Sequence, residues 1–89
     1  MAKNESNASI VKRLRRAEGH LKSIIVMLEG GRSTVDIAQQ LLAVGNAVTN
    51  ARKMLVHDHI NDCLESAVRD DGRTSRPGIQ ELQAIAKYL

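Results

Sequence analysis

Hydrophobic residues in the first third of the chain recur at alternating intervals of four and three residues: Ile10, Leu14, Ala17, Leu21, Ile24 and Leu28. This spacing places them on one face of a helix, in the heptad pattern of helices that pack side by side. Asn7 or Ser9 is expected to cap the start of the helix, which leaves residues 1–8 as a flexible arm. Gly30 and Gly31 are expected to end it, because glycine readily adopts the left-handed conformation of a helix terminus.

The same rhythm returns in a second segment, at Ile37, Leu41, Val44, Val48, Ala51 and Leu55. Ser33, with Asp36 three residues later, resembles a capping box at its start. Helix-compatible residues continue to about Arg69 without a proline. The predicted helix is therefore roughly 50 Å long at about 1.5 Å per residue. It would extend beyond the first helix, and its apolar overhang from Val56 to Val68 is expected to need a second chain to cover it.

Residues 70–78 are rich in charged residues, glycine and proline, which predicts a connection. A short amphipathic helix is expected after it, with Pro77 near the first turn. Its apolar positions are Ile79, Leu82, Ile85, Ala86 and Leu89. No segment shows the alternation of a strand. The pattern predicts one all-α domain over residues 1–89, with a long antiparallel helix hairpin and a short C-terminal helix.

Composition agrees with a small helical oligomer. The chain of 89 residues has one Tyr and neither Phe nor Trp, so its core is expected to be aliphatic. A single chain of this size buries a modest core, and association would add burial. One cysteine is typical of a reducing compartment. No apolar run approaches the roughly 18–20 residues that cross a bilayer, and no signal-peptide core is evident. We therefore expect a cytoplasmic protein that does not enter a membrane.

Positive charge is concentrated near the start of the chain. Residues 1–32 contain seven Lys or Arg and three acidic residues, whereas residues 33–89 contain six and seven. An antiparallel hairpin would bring basic residues of both helices to the same end: Lys12, Arg13, Arg15 and Arg16 from the first, and Arg52 and Lys53 from the second. Such a surface can bind DNA phosphates, although an ordinary solvated face would look similar. No helix-turn-helix or zinc-finger spacing is present.

His59 and Cys63 are four residues apart, so they share one face of the second helix. Imidazole and thiolate together suit Cu(I), Ni(II), Co(II) or Zn(II). Two ligands are too few for tetrahedral zinc, so a third is expected from elsewhere, most simply from another protomer. The alternative is a purely structural pair. His57 points away from this face, and His20 beside the first seam is interpreted as polar packing.

Catalytic machinery is not evident. The chain has no nucleophile and base in a recognisable local context, no glycine-rich phosphate loop and no cluster of carboxylates. We therefore do not expect an enzyme. Two kinds of binding protein remain at this point: a DNA-binding regulator with a metal or thiol sensor, and a metal-binding or thiol-bearing accessory protein that does not bind DNA.

Several motifs resemble the CsoR/RcnR family of bacterial metal- and stress-sensing repressors. They are Arg13-Leu-Arg-Arg-Ala-Glu-Gly-His, Met27-Leu-Glu-Gly, Asp36-Ile-Ala-Gln-Gln-Leu and His57-Asp-His-Ile-Asn-Asp-Cys-Leu-Glu, within residues 8–89. The resemblance implies a three-helix protomer, a dimer in the form of a four-helix bundle, and a homotetramer assembled from such dimers. It also implies binding of double-stranded operator DNA through Arg15, Arg16, Arg52 and Lys53.

The resemblance also implies where an inducer binds. Copper-sensing members use a Cys near the start of the second helix, which is Thr34 here, with a His and a Cys from another protomer that match His59 and Cys63. Glu81 matches an acidic residue that couples copper binding to DNA release. This chain also lacks part of the ligand set that the nickel/cobalt-, formaldehyde- and persulfide-sensing members use. We therefore expect a repressor that leaves its operator when a metal ion or thiol-reactive inducer engages His59 and Cys63 between protomers, or a relative whose metal site has degenerated.

Overall fold

The computed structural model describes residues 2–69 and 76–89 and contains three α-helices there. These are α1 (Ala2–Glu29), α2 (Thr34–Arg69) and α3 (Arg76–Ala86). No strand occurs in these two ranges, which confirms the predicted all-α fold with a long hairpin and a short third helix. The molecule measures 60 × 25 × 14 Å. Of the predicted connection at residues 70–78, residues 70–75 lie outside the described part, as do the side chains of Ala67 and Val68, whereas residues 76–78 already belong to α3.

Helix α1 begins earlier than the sequence predicted. It starts at Ala2, so neither Asn7 nor Ser9 caps it, and residues 2–8 are helical. The prediction failed because both residues are good caps locally, whereas nothing upstream stops the helix. The first nine residues contain no Gly or Pro and include the helix formers Ala2, Lys3 and Glu5. The flexibility expected of residues 1–8 stays a prediction.

The turn between α1 and α2 is a Schellman motif. The Arg32 N–H donates to the Met27 carbonyl at 3.0 Å, and the Gly31 N–H donates to the Leu28 carbonyl at 3.3 Å. Gly31 takes the left-handed conformation this motif requires, with φ of 73°. The Asp36 N–H then donates to Ser33 Oγ at 3.2 Å, which confirms Ser33 as the cap of α2. These bonds fix where the chain reverses and hence the register of the hairpin.

Replacing Gly31 with alanine is expected to lower the free energy of unfolding by about 1–2 kcal/mol, because a Cβ is unfavourable at positive φ. Gly19 is a matched control, since it lies inside α1 and an added Cβ would meet nothing within 4 Å. Gly19→Ala should be neutral or slightly stabilising. Urea denaturation at a fixed protein concentration measures both. Equal stabilities of the two variants would contradict the role assigned to Gly31.

In each heptad, one of the two apolar positions is buried between α1 and α2. The buried residues of α1 are Ile10, Ala17 and Ile24, and those of the facing part of α2 are Ile37, Val44 and Ala51, each set spaced by seven. Ile24 packs with Ile37 and Val44, and the predicted core residue Met27 packs against this cluster. His20 Nε2 is hydrogen-bonded to Gln40 Oε1 across the hairpin, which confirms that His20 takes part in polar packing.

The other position of each heptad is exposed within one protomer. Its members are Leu14, Leu21 and Leu28 in α1 and Leu41, Val48 and Leu55 in α2, all of them between 42% and 58% accessible. We call these six residues the outer seam. A continuous row of exposed aliphatic side chains along two neighbouring helices is typical of a surface that contacts another protein chain.

Helix α3 contacts α2 beyond the hairpin. Val56, which the sequence placed in an overhang covered only by a second chain, is 1% accessible within the protomer. The overhang prediction is therefore wrong at this position, where the side chain is buried without a second chain. Ile60 is partly buried, whereas Leu64 stays exposed. This docking brings α3 against the part of α2 that carries His59 and Cys63.

Candidate metal site and basic surface

Three potential metal ligands meet where α3 packs on α2. His59 Nε2 lies 3.8 Å from Cys63 Sγ, as expected for residues one helical turn apart. Glu81 of α3 places its Oε1 3.0 Å from the same nitrogen. One ligand atom from each of the three residues lies within 4.8 Å of the others. The structure therefore joins the predicted pair to Glu81 within a single protomer.

A groove of about 310 Å³ adjoins this cluster. Its polar rim is formed by His59 and Glu81, and Leu55, Ala84, Ile85 and Tyr88 line the rest. Neither Tyr88 nor Ala84 was predicted from the sequence to belong to a site. The i, i+3, i+4 spacing of α3 indicates that Glu81, Ala84 and Ile85 share one face, and Tyr88 follows in the turn after the helix. However, only the docking of α3 shows that this face meets His59.

The remaining candidates lie apart from this cluster. His57 is exposed and is two residues from His59, on another side of α2, as the sequence predicted. Thr34 is exposed at the start of α2. At about 1.5 Å per residue, roughly 38 Å of helix separates it from His59. A single protomer therefore does not bring Thr34 to the cluster of His59, Cys63 and Glu81.

The predicted DNA-binding residues are all exposed toward the open end of the hairpin, and we call these six residues the basic surface: Lys12, Arg13, Arg15, Arg16, Arg52 and Lys53. Ile10 and Ala51 are buried at this end. Along the chain, Ile10 is as many residues from Ile24 as Ala51 is from Ile37, and Ile24 packs against Ile37. The basic residues of both helices therefore lie at similar heights along the hairpin. None forms a salt bridge with another residue whose side chain is described.

The model of the family described as "Metal-sensitive transcriptional repressor" matches residues 6–88 of the chain. The chain belongs to the metal-sensitive transcriptional repressor family. This membership confirms the predicted CsoR/RcnR-type resemblance and the predicted class, a transcriptional repressor rather than an enzyme. It also agrees with the all-α architecture of the hairpin and α3.

Individual members of the metal-sensitive repressor family are similar over most of the chain. The copper-sensing transcriptional repressor CsoR of Mycobacterium ulcerans is 36% identical over 84 residues, covering 94% of this chain and 70% of that protein. CsoR of Bacillus subtilis is 37% identical over 79 residues, covering 88% and 75%. CsoR of Mycobacterium tuberculosis H37Rv is 32% identical over 78 residues, and the chain spans 64% of its length.

A solved structure of a metal-responsive regulator has the same fold. The nickel-responsive transcriptional regulator InrS superposes with a TM-score of 0.80 and 26% identity, covering 92% of this chain and 91% of that one. Within the described ranges, no helix of this metal-sensitive repressor is long and apolar enough to cross a membrane.

Proposed function

We propose that this protein represses transcription by binding double-stranded operator DNA as a homo-oligomer, and that binding of a metal ion or thiol-reactive inducer at His59 and Cys63 releases it. The observation that carries the proposal is the meeting of His59, Cys63 and Glu81 at the junction of α2 and α3, in a chain of a metal-sensitive repressor family. The relatives' action in transcription implies the cytoplasm as its location.

The basic surface supports the DNA-binding half of the proposal. Its cations are exposed on two packed helices, where guanidinium groups can make charge-assisted hydrogen bonds to phosphate oxygens. Since these contacts carry no base information by themselves, operator choice would depend on DNA shape or on additional contacts. The positive charge concentrated in residues 1–32 supports electrostatic steering toward DNA more strongly than the chain's modest net charge of +3 does.

The outer seam supports the oligomeric half. Its side chains repeat the heptad spacing of the buried core, as expected of a hairpin that packs against a second hairpin. A dimer in the form of a four-helix bundle would bury both copies of the seam. Two dimers in a tetramer would present basic surfaces to more of the duplex.

Inducer binding and DNA binding are coupled only if the DNA-bound and the free arrangements of the protein differ in their affinity for the metal. Glu81 belongs to α3, whereas His59 and Cys63 belong to α2. An inducer that draws the three side chains together would hold α3 in one position relative to the long helix. If that position fits poorly with the arrangement that aligns the basic surfaces with phosphates, binding of the inducer weakens binding of DNA.

Replacing His59 with alanine is expected to abolish the response to inducer while leaving operator affinity in its absence within about threefold. His57→Ala is the matched control, since it removes an exposed imidazole two residues away. Fluorescence anisotropy of reduced protein on DNA from its own upstream region measures both, with Cu(I), Ni(II), Co(II), Zn(II) or a thiol oxidant added separately. Equal responses of the two variants would exclude His59 from the sensor.

The wild-type titration distinguishes the proposal from its alternatives. Operator affinity that falls with one of these inducers supports the proposed repressor. DNA binding that is indifferent to all of them would favour a repressor with a degenerate sensor. Inducer binding without any DNA binding would favour the accessory protein.

A further inference from the structure

We infer that His59, Cys63 and Glu81 form a metal site within one protomer that binds a divalent ion of the Zn(II) or Co(II) type, with Glu81 as a direct ligand. The inference deepens the proposed function, because it names the ligand class of the inducer site. It differs from the copper-type site that the resemblance implies, in which the third ligand comes from another protomer.

The distances fit a shared ion. Zinc bonds of about 2.0–2.1 Å to nitrogen, 2.0–2.2 Å to carboxylate oxygen and 2.3 Å to sulfur place tetrahedral ligand atoms about 3.4 Å (N to O) and 3.6 Å (N to S) apart. The corresponding separations are 3.0 Å between His59 Nε2 and Glu81 Oε1 and 3.8 Å between His59 Nε2 and Cys63 Sγ. These two distances therefore require only small movements, and the ligand atoms of Cys63 and Glu81 lie within 4.8 Å of each other.

The site can make these movements. His59 and Cys63 are held on a helix and are partly buried, whereas the Glu81 side chain is 58% accessible. A flexible carboxylate can shift onto an ion that the other two residues position. Three protein ligands leave a fourth position for water or another donor, as in catalytic zinc sites. A site that must load and unload an ion benefits from such an open position.

The donor set disagrees with Cu(I). Cu(I) selects soft thiolate and thioether ligands, and this cluster offers one thiolate together with a hard carboxylate. The chain has no second cysteine, so no copy of it can add a thiolate other than another Cys63. Thr34, at the position where copper sensors carry their first Cys, offers a neutral hydroxyl. Nitrogen, sulfur and carboxylate oxygen together are ordinary zinc ligands.

The test places a reporter thiolate at position 81. Reduced full-length protein is titrated with Co(II), whose thiolate charge-transfer absorption reports sulfur ligands. Glu81→Cys is expected to about double this absorption per bound Co(II), because it adds a second thiolate to the ion. Glu65→Cys is the matched control, since Glu65 is an exposed acid on α2 outside the cluster. It should leave the absorption per Co(II) unchanged. Wild-type intensity in Glu81→Cys would overturn the inference.

Two further variants test the single-protomer arrangement. Glu81→Gln removes the charge and is expected to weaken Co(II) binding at least tenfold, whereas Thr34→Ala should leave the affinity within about twofold. A tenfold loss in Thr34→Ala would instead place a ligand from another protomer in the site and overturn the inference. Circular dichroism before each titration verifies that the variants keep the helical fold.

Failure of the site and failure of the proposed function give different results. If Co(II) and Zn(II) bind as described but leave operator affinity unchanged, the site stands and the proposed metal response fails. If a metal releases DNA while Co(II) shows no thiolate band that depends on Cys63, the response stands and this site is wrong.

Discussion

Replacing Arg15 and Arg52 together with alanine is expected to weaken operator binding by at least about 100-fold at moderate salt. Each guanidinium removed from a phosphate loses a charge-assisted hydrogen bond of about 1.5 kcal/mol or more, and two such losses correspond to that factor. Both side chains are exposed and lie on different helices of the basic surface. Fluorescence anisotropy over a range of salt concentrations measures the effect.

The salt dependence distinguishes phosphate contacts from a loss of folding. The slope of log affinity against log salt falls by about 0.9 for each phosphate contact removed. The variant should therefore have a flatter slope, by about two units for each protomer that contacts DNA. The double variant Arg32→Ala and Lys87→Ala removes the same charge from exposed positions outside the basic surface. If this control loses as much affinity, net charge alone binds the DNA and the basic surface has no special role.

Introducing aspartate at Val48 is expected to dissociate the oligomer, with association weakened by at least about 100-fold. Val48 lies in the outer seam and is 44% accessible in one protomer. In a bundle of two hairpins its carboxylate would be buried among aliphatic side chains without a partner. An uncompensated buried charge costs about 3 kcal/mol or more. Analytical ultracentrifugation over a range of protein concentrations measures the change in mass.

Val26→Asp is the control for this experiment. Val26 is 68% accessible and lies on α1 outside the outer seam, so the same change should leave the mass unaltered. The thermal midpoint of wild-type protein should rise with concentration, because association stabilises the folded chain. Dissociation by Val26→Asp but not by Val48→Asp would place the interface on another face of the hairpin.

The sequence predicted the hairpin well because the information it needs is local. Heptad spacing, the two glycines after Glu29 and the serine before α2 each act within a few residues, and the Schellman motif and Ser33 cap agree with them. The predicted start of α1 was wrong because it, too, relied on local information. Ser9 is a good cap, but a capping residue does not interrupt a helix that can continue upstream to Ala2.

The heptad pattern did not reveal which residues face inward. Ile10 and Leu14 are both aliphatic, and burial stabilises either side chain equally whether it packs within a chain or between chains. Only the structure separates the buried Ile10 from the exposed Leu14. Similarly, the spacing of His59 and Cys63 identified two ligands of the candidate site. The position of Glu81 depends on how α3 folds back, which no local pattern specifies.

The division of the heptads has a consequence for how such proteins diverge. Inward residues close the hairpin, and outward residues remain available for association, although both belong to the same seven-residue repeat. Substitutions confined to the outward positions can change the partner or the number of subunits while the tertiary fold persists. Related chains can therefore drift apart in quaternary structure while keeping an almost constant protomer.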